Sequence, residues 1–237
     1  MEIINAKKEE KPLLDELAAK QVSRRKFMSW AGVLGATATI GGLATACKKD
    51  DDNMSNGGVN LGSGDIGILN YAYALEQLEA AFYTQVASSF YSGATDAEKM
   101  HMQEIRDHEI AHREFFKKAL ADKAIPDLEV NFSAINFGDK NSVLSTAKAF
   151  EDLGVSAYNG AGKLLTTPDY LLIAGKIVSV EARHAALIRD LISNGTFADS
   201  TVIDANGLDK SRTPSEVLSI ASAYLVTKID ASNLPTT

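Results

Sequence analysis

Glutamate and histidine three residues apart on a helix share a face, so a Glu-x-x-His unit offers one carboxylate and one imidazole to a common point. The chain contains such a unit at Glu109-Ile110-Ala111-His112 and another at Glu181-Ala182-Arg183-His184. About thirty residues upstream of each lies a helix-like segment in which one Glu is followed seven residues later by Tyr, as Glu76 with Tyr83 and Glu151 with Tyr158. Oxygen and nitrogen donors in the order Glu, Glu-x-x-His, Glu, Glu-x-x-His suit a pair of divalent metals held between four helices.

Those donors need four helices, and the apolar periodicity supplies them. Leu69, Ala72, Glu76, Ala80 and Tyr83 share one stripe of a helix expected from Ile66 to about Phe90. Thr95 with Glu98 forms a capping-box signature, which starts a second helix at Asp96 that runs to Leu120, with Glu109 and His112 on its inner face. A third helix, about Ser142 to Leu165, repeats the first stripe as Leu144, Ala147, Glu151, Val155 and Tyr158. Thr167 reads as the N-cap of a fourth, with Pro168 at its first position and Asn194-Gly195 after its end. The helical hairpin therefore occurs twice, an internal repeat of about seventy residues.

Between the hairpins, some twenty residues carrying Pro126, Asn131, Asn136 and Gly138 lack any helical period and suit a long crossover. Thr213-Pro214-Ser215-Glu216 caps a short fifth helix ending near Thr227. Glu76 lies about fourteen residues before the end of its helix and Glu109 about thirteen after the start of the next, which sets both at one level of an antiparallel hairpin. Glu151 and Glu181 obey the same count. Carboxylates gathered at one level of a core need positive charge to neutralise them. A third Glu-x-x-His, Glu98 with His101, lies about 16 Å along the helix from Glu109 and has a capping duty, so it is set aside. Glu79 and His108 fall on the flanks of their helices' inner stripes, as supporting or surface residues. Tyr83 and Tyr158 are either core tyrosines or supports for the metal ligands.

The segment before Cys47 is an address rather than a fold. Ser23-Arg24-Arg25-Lys26-Phe27-Met28 leads into an uncharged stretch to Ala46 rich in Gly, Ala and Thr, which resembles a twin-arginine export signal more than a membrane span. Cys47, the only cysteine, follows Ala44-Thr45-Ala46 and looks like a lipoprotein's lipid-acceptor cysteine, although Ala44 stands where Leu is usual. A sole cysteine also excludes an intramolecular disulfide. Residues 48–64 read as a flexible tether, 65–195 as the helical domain, and 196–237 as a C-terminal extension. Beyond the address, 17 basic residues face 26 acidic ones, a balance of −9 that makes nucleic acid a poor partner.

Residues 65 to 195 resemble the ferritin-like superfamily, and with the export signal they look most like its exported bacterial members. The resemblance implies an all-α fold, a four-helix bundle of two hairpins joined by a long crossover, plus the short C-terminal helix. It further implies metal ligation by Glu76, Glu109, His112, Glu151, Glu181 and His184, with Glu109 and Glu181 bridging two iron ions or, alternatively, two manganese ions. The expected partners are these metals, oxygen or peroxide, and a membrane reached through a lipid anchor at Cys47; a homodimer is compatible. Two functions compete. One is a periplasmic or cell-surface lipoprotein that oxidises ferrous iron or reduces oxygen or peroxide under stress. The other is a non-catalytic envelope module whose metal, if any, is structural. A tethered and anchored chain does not suit an iron-storing cage.

Overall fold

The computed structural model describes residues 54–55 and 57–236. Four long helices form the bundle: α1 (Gly64–Ser88), α2 (Asp96–Leu120), α3 (Lys140–Gly162) and α4 (Pro168–Ile192). A short α5 (Pro214–Ala221) follows in the C-terminal extension. Helix α1 packs along α2, α3 packs along α4, and α1 touches α3 across the centre. The all-α bundle with its short C-terminal helix is thus as expected, and the expected helix boundaries lie within three residues of those observed for α1 to α4. Helix α5 is shorter than expected, because the chain tightens into a 3-10 turn at Ser222–Tyr224.

Helix α1 is the axis of the molecule. Every residue from Gly67 to Ala80 is buried, polar ones included, so it has no solvent face in that span. Its two buried amides then fasten the crossover. Asn70 Nδ2 donates to Lys123 O at 2.9 Å and its Oδ1 accepts from Ile125 N at 3.0 Å; Gln77 Oε1 accepts from Leu128 N at 2.7 Å. Further along the crossover, Phe132 and Phe137 pack on Phe82 of α1 with ring centroids 6.0 and 5.8 Å apart, and Phe82 meets Phe150 of α3 at 5.1 Å. Phe82 and Phe150 are both fully buried, which stabilises the fold by about 1.5–3 kcal/mol each.

The helix starts are built in two ways. At α2, Thr95 and Glu98 form the anticipated capping box, and Lys140 Nζ reaches Glu98 Oε1 at 2.5 Å. Glu98 is therefore engaged at the end of the bundle. At α4, Thr167 is the N-cap and Pro168 follows it, but the threonine side chain makes no capping bond. Asp65 of α1 instead anchors the two residues that lead into the helix, accepting from Thr166 N at 2.8 Å and Thr167 N at 2.9 Å.

The expected tether at 48–64 is corrected in its last part. Strands β1 (Met54–Ser55), β2 (Gly58–Asn60) and β3 (Ile229–Asp230) form a small sheet in that order, with β2 antiparallel to β1 and parallel to β3. Val59 and Leu61 are buried, Val59 N donates to Lys228 O at 2.8 Å, and Leu61 N donates to Asp230 O at 3.1 Å. The strands are too short for an alternating pattern to show, and part of what pairs with them comes from the far end of the chain. Arg24, Arg25 and Cys47 lie outside the described residues. Among the described residues no helix is long and apolar enough to cross a membrane.

Candidate metal centre

The register of the two hairpins brings all six expected donors to one level inside the bundle. They form two groups that share a pair of carboxylates: Glu76, Glu109, His112 and Glu181, and Glu109, Glu151, Glu181 and His184. Within each group the donor atoms lie within 4.8 Å of one another. All four carboxylates are wholly buried, and the imidazoles are nearly so.

The shared glutamates face both ways. Glu109 Oε1 lies 2.9 Å from His184 Nδ1 and Glu109 Oε2 lies 3.8 Å from His112 Nδ1; Glu181 Oε1 lies 2.9 Å from His112 Nδ1 and Glu181 Oε2 lies 3.8 Å from His184 Nδ1. Glu76 and Glu151 belong to one side each, 3.4 Å from His112 Nδ1 and 3.5 Å from His184 Nδ1. Yet neither Nδ1, nor Glu76 Oε2, Glu151 Oε2 or any oxygen of Glu109 and Glu181, is aligned for a hydrogen bond. Buried polar atoms without partners cost about 1–3 kcal/mol each, more when charged. Eight such atoms converging at two points fit a pair of cations better than they fit one another.

The remaining oxygens of the outer glutamates are held. Tyr83 Oη, on α1, donates to Glu151 Oε1 on α3, and Tyr158 Oη, on α3, donates to Glu76 Oε1 on α1. Each tyrosine thus supports the glutamate of the other hairpin. Tyr83 and Tyr158 are where the sequence placed them, and a hydrogen-bonded core tyrosine and a support for the centre are here the same residue.

Two residues weighed as flank positions prove to be part of the site. Glu79 is buried. It is opposite Gly154, where an added Cβ would lie 3.1 Å from Glu79 Oε1 and 3.8 Å from Glu181 Oε2. The missing side chain of Gly154 leaves room for a fifth carboxylate. His108, half-buried, sets its Nδ1 2.9 Å from His184 Nε2. Periodicity could not single out Glu79, because α1 is buried on all sides and has no stripe to depart from.

The electrostatics follow from five carboxylates sharing one buried level with two imidazoles. Burial, reinforced by the neighbouring carboxylates, pushes Glu79 and Glu181 well above the usual range. Burial also raises Glu151, and it lifts Glu76 to about 7 although His112 pulls the other way. Burial alone would raise Glu109 too, but the imidazoles on both sides outweigh it and hold it low. For His112 and His184 burial favours the neutral ring, and the surrounding glutamates overcome it and raise both. Protons held on carboxylates at this level stand in for positive charge the site otherwise needs.

Fold and site together define a four-helix-bundle protein with a buried carboxylate and imidazole centre compatible with metal binding. Residues 64–194, more than half of the chain, match the family model of the ferritin-like domain, and the chain belongs to that family. No curated protein matches the chain.

Proposed function

We propose that the bundle binds two redox-active divalent metals, iron or the alternative manganese, and that the chain uses them to oxidise ferrous iron or to reduce oxygen or peroxide. The observation that carries this reading is the set of eight buried donor atoms that converge on two points without hydrogen-bonding one another. Such a pair, when bound, supplies two electrons at one place. Glu109 and Glu181 offer one oxygen to each side, which suits bridging; Glu76 with His112 and Glu151 with His184 complete the two sides. Tyr83 and Tyr158 fix the outer glutamates by donating hydrogen bonds to their second oxygens. Phe82, in edge contact with Tyr83 at 5.0 Å, joins Phe150 and the crossover phenylalanines in an apolar cluster beside that tyrosine.

The test is an anaerobic sample loaded with ferrous iron and then mixed with oxygen or peroxide. An absorbance change within seconds to minutes, abolished in Glu109→Ala, is expected. A wild type that binds iron but is inert to both oxidants, and whose manganese form leaves peroxide untouched, overturns the enzyme reading in favour of a non-catalytic envelope module. The address is proposed alongside: export through Arg24 and Arg25, and attachment to a membrane through a lipid on Cys47. Loss of export in the Arg24→Lys, Arg25→Lys double variant supports the first. Release of Cys47→Ser from the membrane fraction, with the mass of the lipid lost, supports the second.

A further inference from the structure

The chain's four histidines are His101, His108, His112 and His184, and two of them touch. His108 lies one turn before His112 on α2, yet it faces His184 of α4. The rings are 9° from parallel with centroids 5.1 Å apart, while Nδ1 of His108 and Nε2 of His184 are 2.9 Å apart. A centroid separation that exceeds the nitrogen contact by about two ring radii places the rings edge to edge in nearly one plane, the geometry of a hydrogen bond and not of face-to-face stacking. His184 Nδ1 points into the carboxylates, so the ring is gripped at one nitrogen from outside and directed inward at the other.

The other imidazole has no histidine beside it in this way. The position on α4 that corresponds to His108, one turn before His184, is Val180, and no hydrogen bond from another described side chain reaches His112 Nε2. The repeat therefore furnishes one imidazole with a histidine acceptor and puts valine at the corresponding place on the other side.

We infer that His108 is a positioning residue for His184 and that it makes the two metal positions unequal, the one built on His184 and Glu151 binding the more tightly. His184 Nε2–H donates to His108 Nδ1, which fixes the ring's orientation and keeps the lone pair of Nδ1 on the metal side. The acceptor also raises the ring's basicity as a ligand. This inference rests on the two-metal reading above.

Anaerobic equilibrium titration of the metal-free full chain with cobalt(II), followed by the visible absorption of the bound ion, separates the two. Wild type should take up about two ions in unequal steps. In His108→Ala the tighter step should weaken about 10–100-fold, with a changed absorption envelope, while the weaker step is unmoved. His108→Asn, whose Oδ1 occupies about the place of the lost Nδ1, should restore it, and Val180→Ala should leave both steps as in wild type. A wild type that binds no cobalt overturns the metal reading and this inference with it. Two ions bound by wild type, and bound equally well by His108→Ala, overturn this inference alone. So does an Asn variant that fails to restore binding, or an Ala variant whose metal-free form melts lower than wild type, since either outcome assigns His108 to packing.

Discussion

The hairpins α1–α2 and α3–α4 carry the same five-residue stripe and the same Glu-x-x-His, and they exchange tyrosine hydrogen bonds as near equals. They differ in everything around that level. The first hairpin brings Glu79 and His108 toward the centre, where the second has Gly154 and Val180. Conversely, the second hairpin receives the C-terminal extension: Arg212 N donates to Ser156 O at 2.9 Å, Arg212 Nη1 donates to Ser156 Oγ at 2.6 Å, and Arg189 grips Asp152 with two hydrogen bonds while a third reaches Thr201. Duplication explains the donors, and what lies outside the duplicated pattern decides how each half is supported.

The largest effect should come from breaking what the halves share. Glu181→Gln is expected to take metal content from about two ions per chain to near none, whereas Glu76→Gln and Glu151→Gln should each leave about one. Elemental analysis after loading reads this directly, and loss of both ions from Glu76→Gln would show that the sides are not separable.

Next comes the pH dependence of stability. Glu76 titrates near 7 in the folded protein against 4.5 for the free carboxyl, so the metal-free fold binds more protons than the unfolded chain in that window. Glu79, Glu151 and Glu181 are shifted in the same direction, and raised histidines add the same sign at higher pH. Metal-free stability should therefore fall as pH rises from about 5 to 8, at about 2–4 °C of melting temperature per kcal/mol. Loaded protein should lose that slope or reverse it, because the ligands shed their protons to bind. Calorimetry of both forms checks this.

Gly160→Ala probes the docked extension. Its Cβ would fall 1.7 Å from the carbonyl oxygen of Arg212, so the backbone must move, at a cost of about 1–3 kcal/mol. The corresponding residue of α1, Gln85, is exposed, and Gln85→Ala should change stability by less than about 0.5 kcal/mol. Denaturant melts would tell them apart.

The smallest contrast concerns the helix starts. Thr95→Ala should cost about 0.5–2 kcal/mol, and Thr167→Ala very little, because its hydroxyl caps nothing. Asp65→Ala should carry the penalty that Thr167→Ala lacks.

What the sequence made legible was local or repeated. The Thr95 and Glu98 pair, Pro168 after Thr167 and the duplicated stripe mark α1 to α4 because helix geometry writes itself at fixed short spacings. The six donors were legible for the same reason, since matching helix lengths put Glu76 opposite Glu109 and Glu151 opposite Glu181. Asp65 as the clamp on Thr166 and Thr167 was not, because that bond spans a hundred residues. Nor was His108, whose partner is on another helix and whose own stripe position says only that it flanks the core. Glu79 was hidden by its setting: on a helix buried all round, a carboxylate's phase reveals nothing about its neighbour. The sheet was invisible because two- and three-residue strands leave no period to read.

That sheet gives the molecule a clasp between the two ends of its described chain. Asn60 Nδ2 meets Asp230 Oδ2 at 2.9 Å across 170 residues, so β2 has no neighbour on that side until β3 has been made. The helices meet through contacts within and between hairpins, whereas the pairing of β2 with β3 joins residues 170 positions apart, a contact of high sequence separation. The two ends of the described fold are thereby joined to each other as well as to α1, where Asn70 Nδ2 donates to Leu61 O at 3.1 Å. A pull on the N-terminal side would therefore bear on β2, β3 and the start of α1 together.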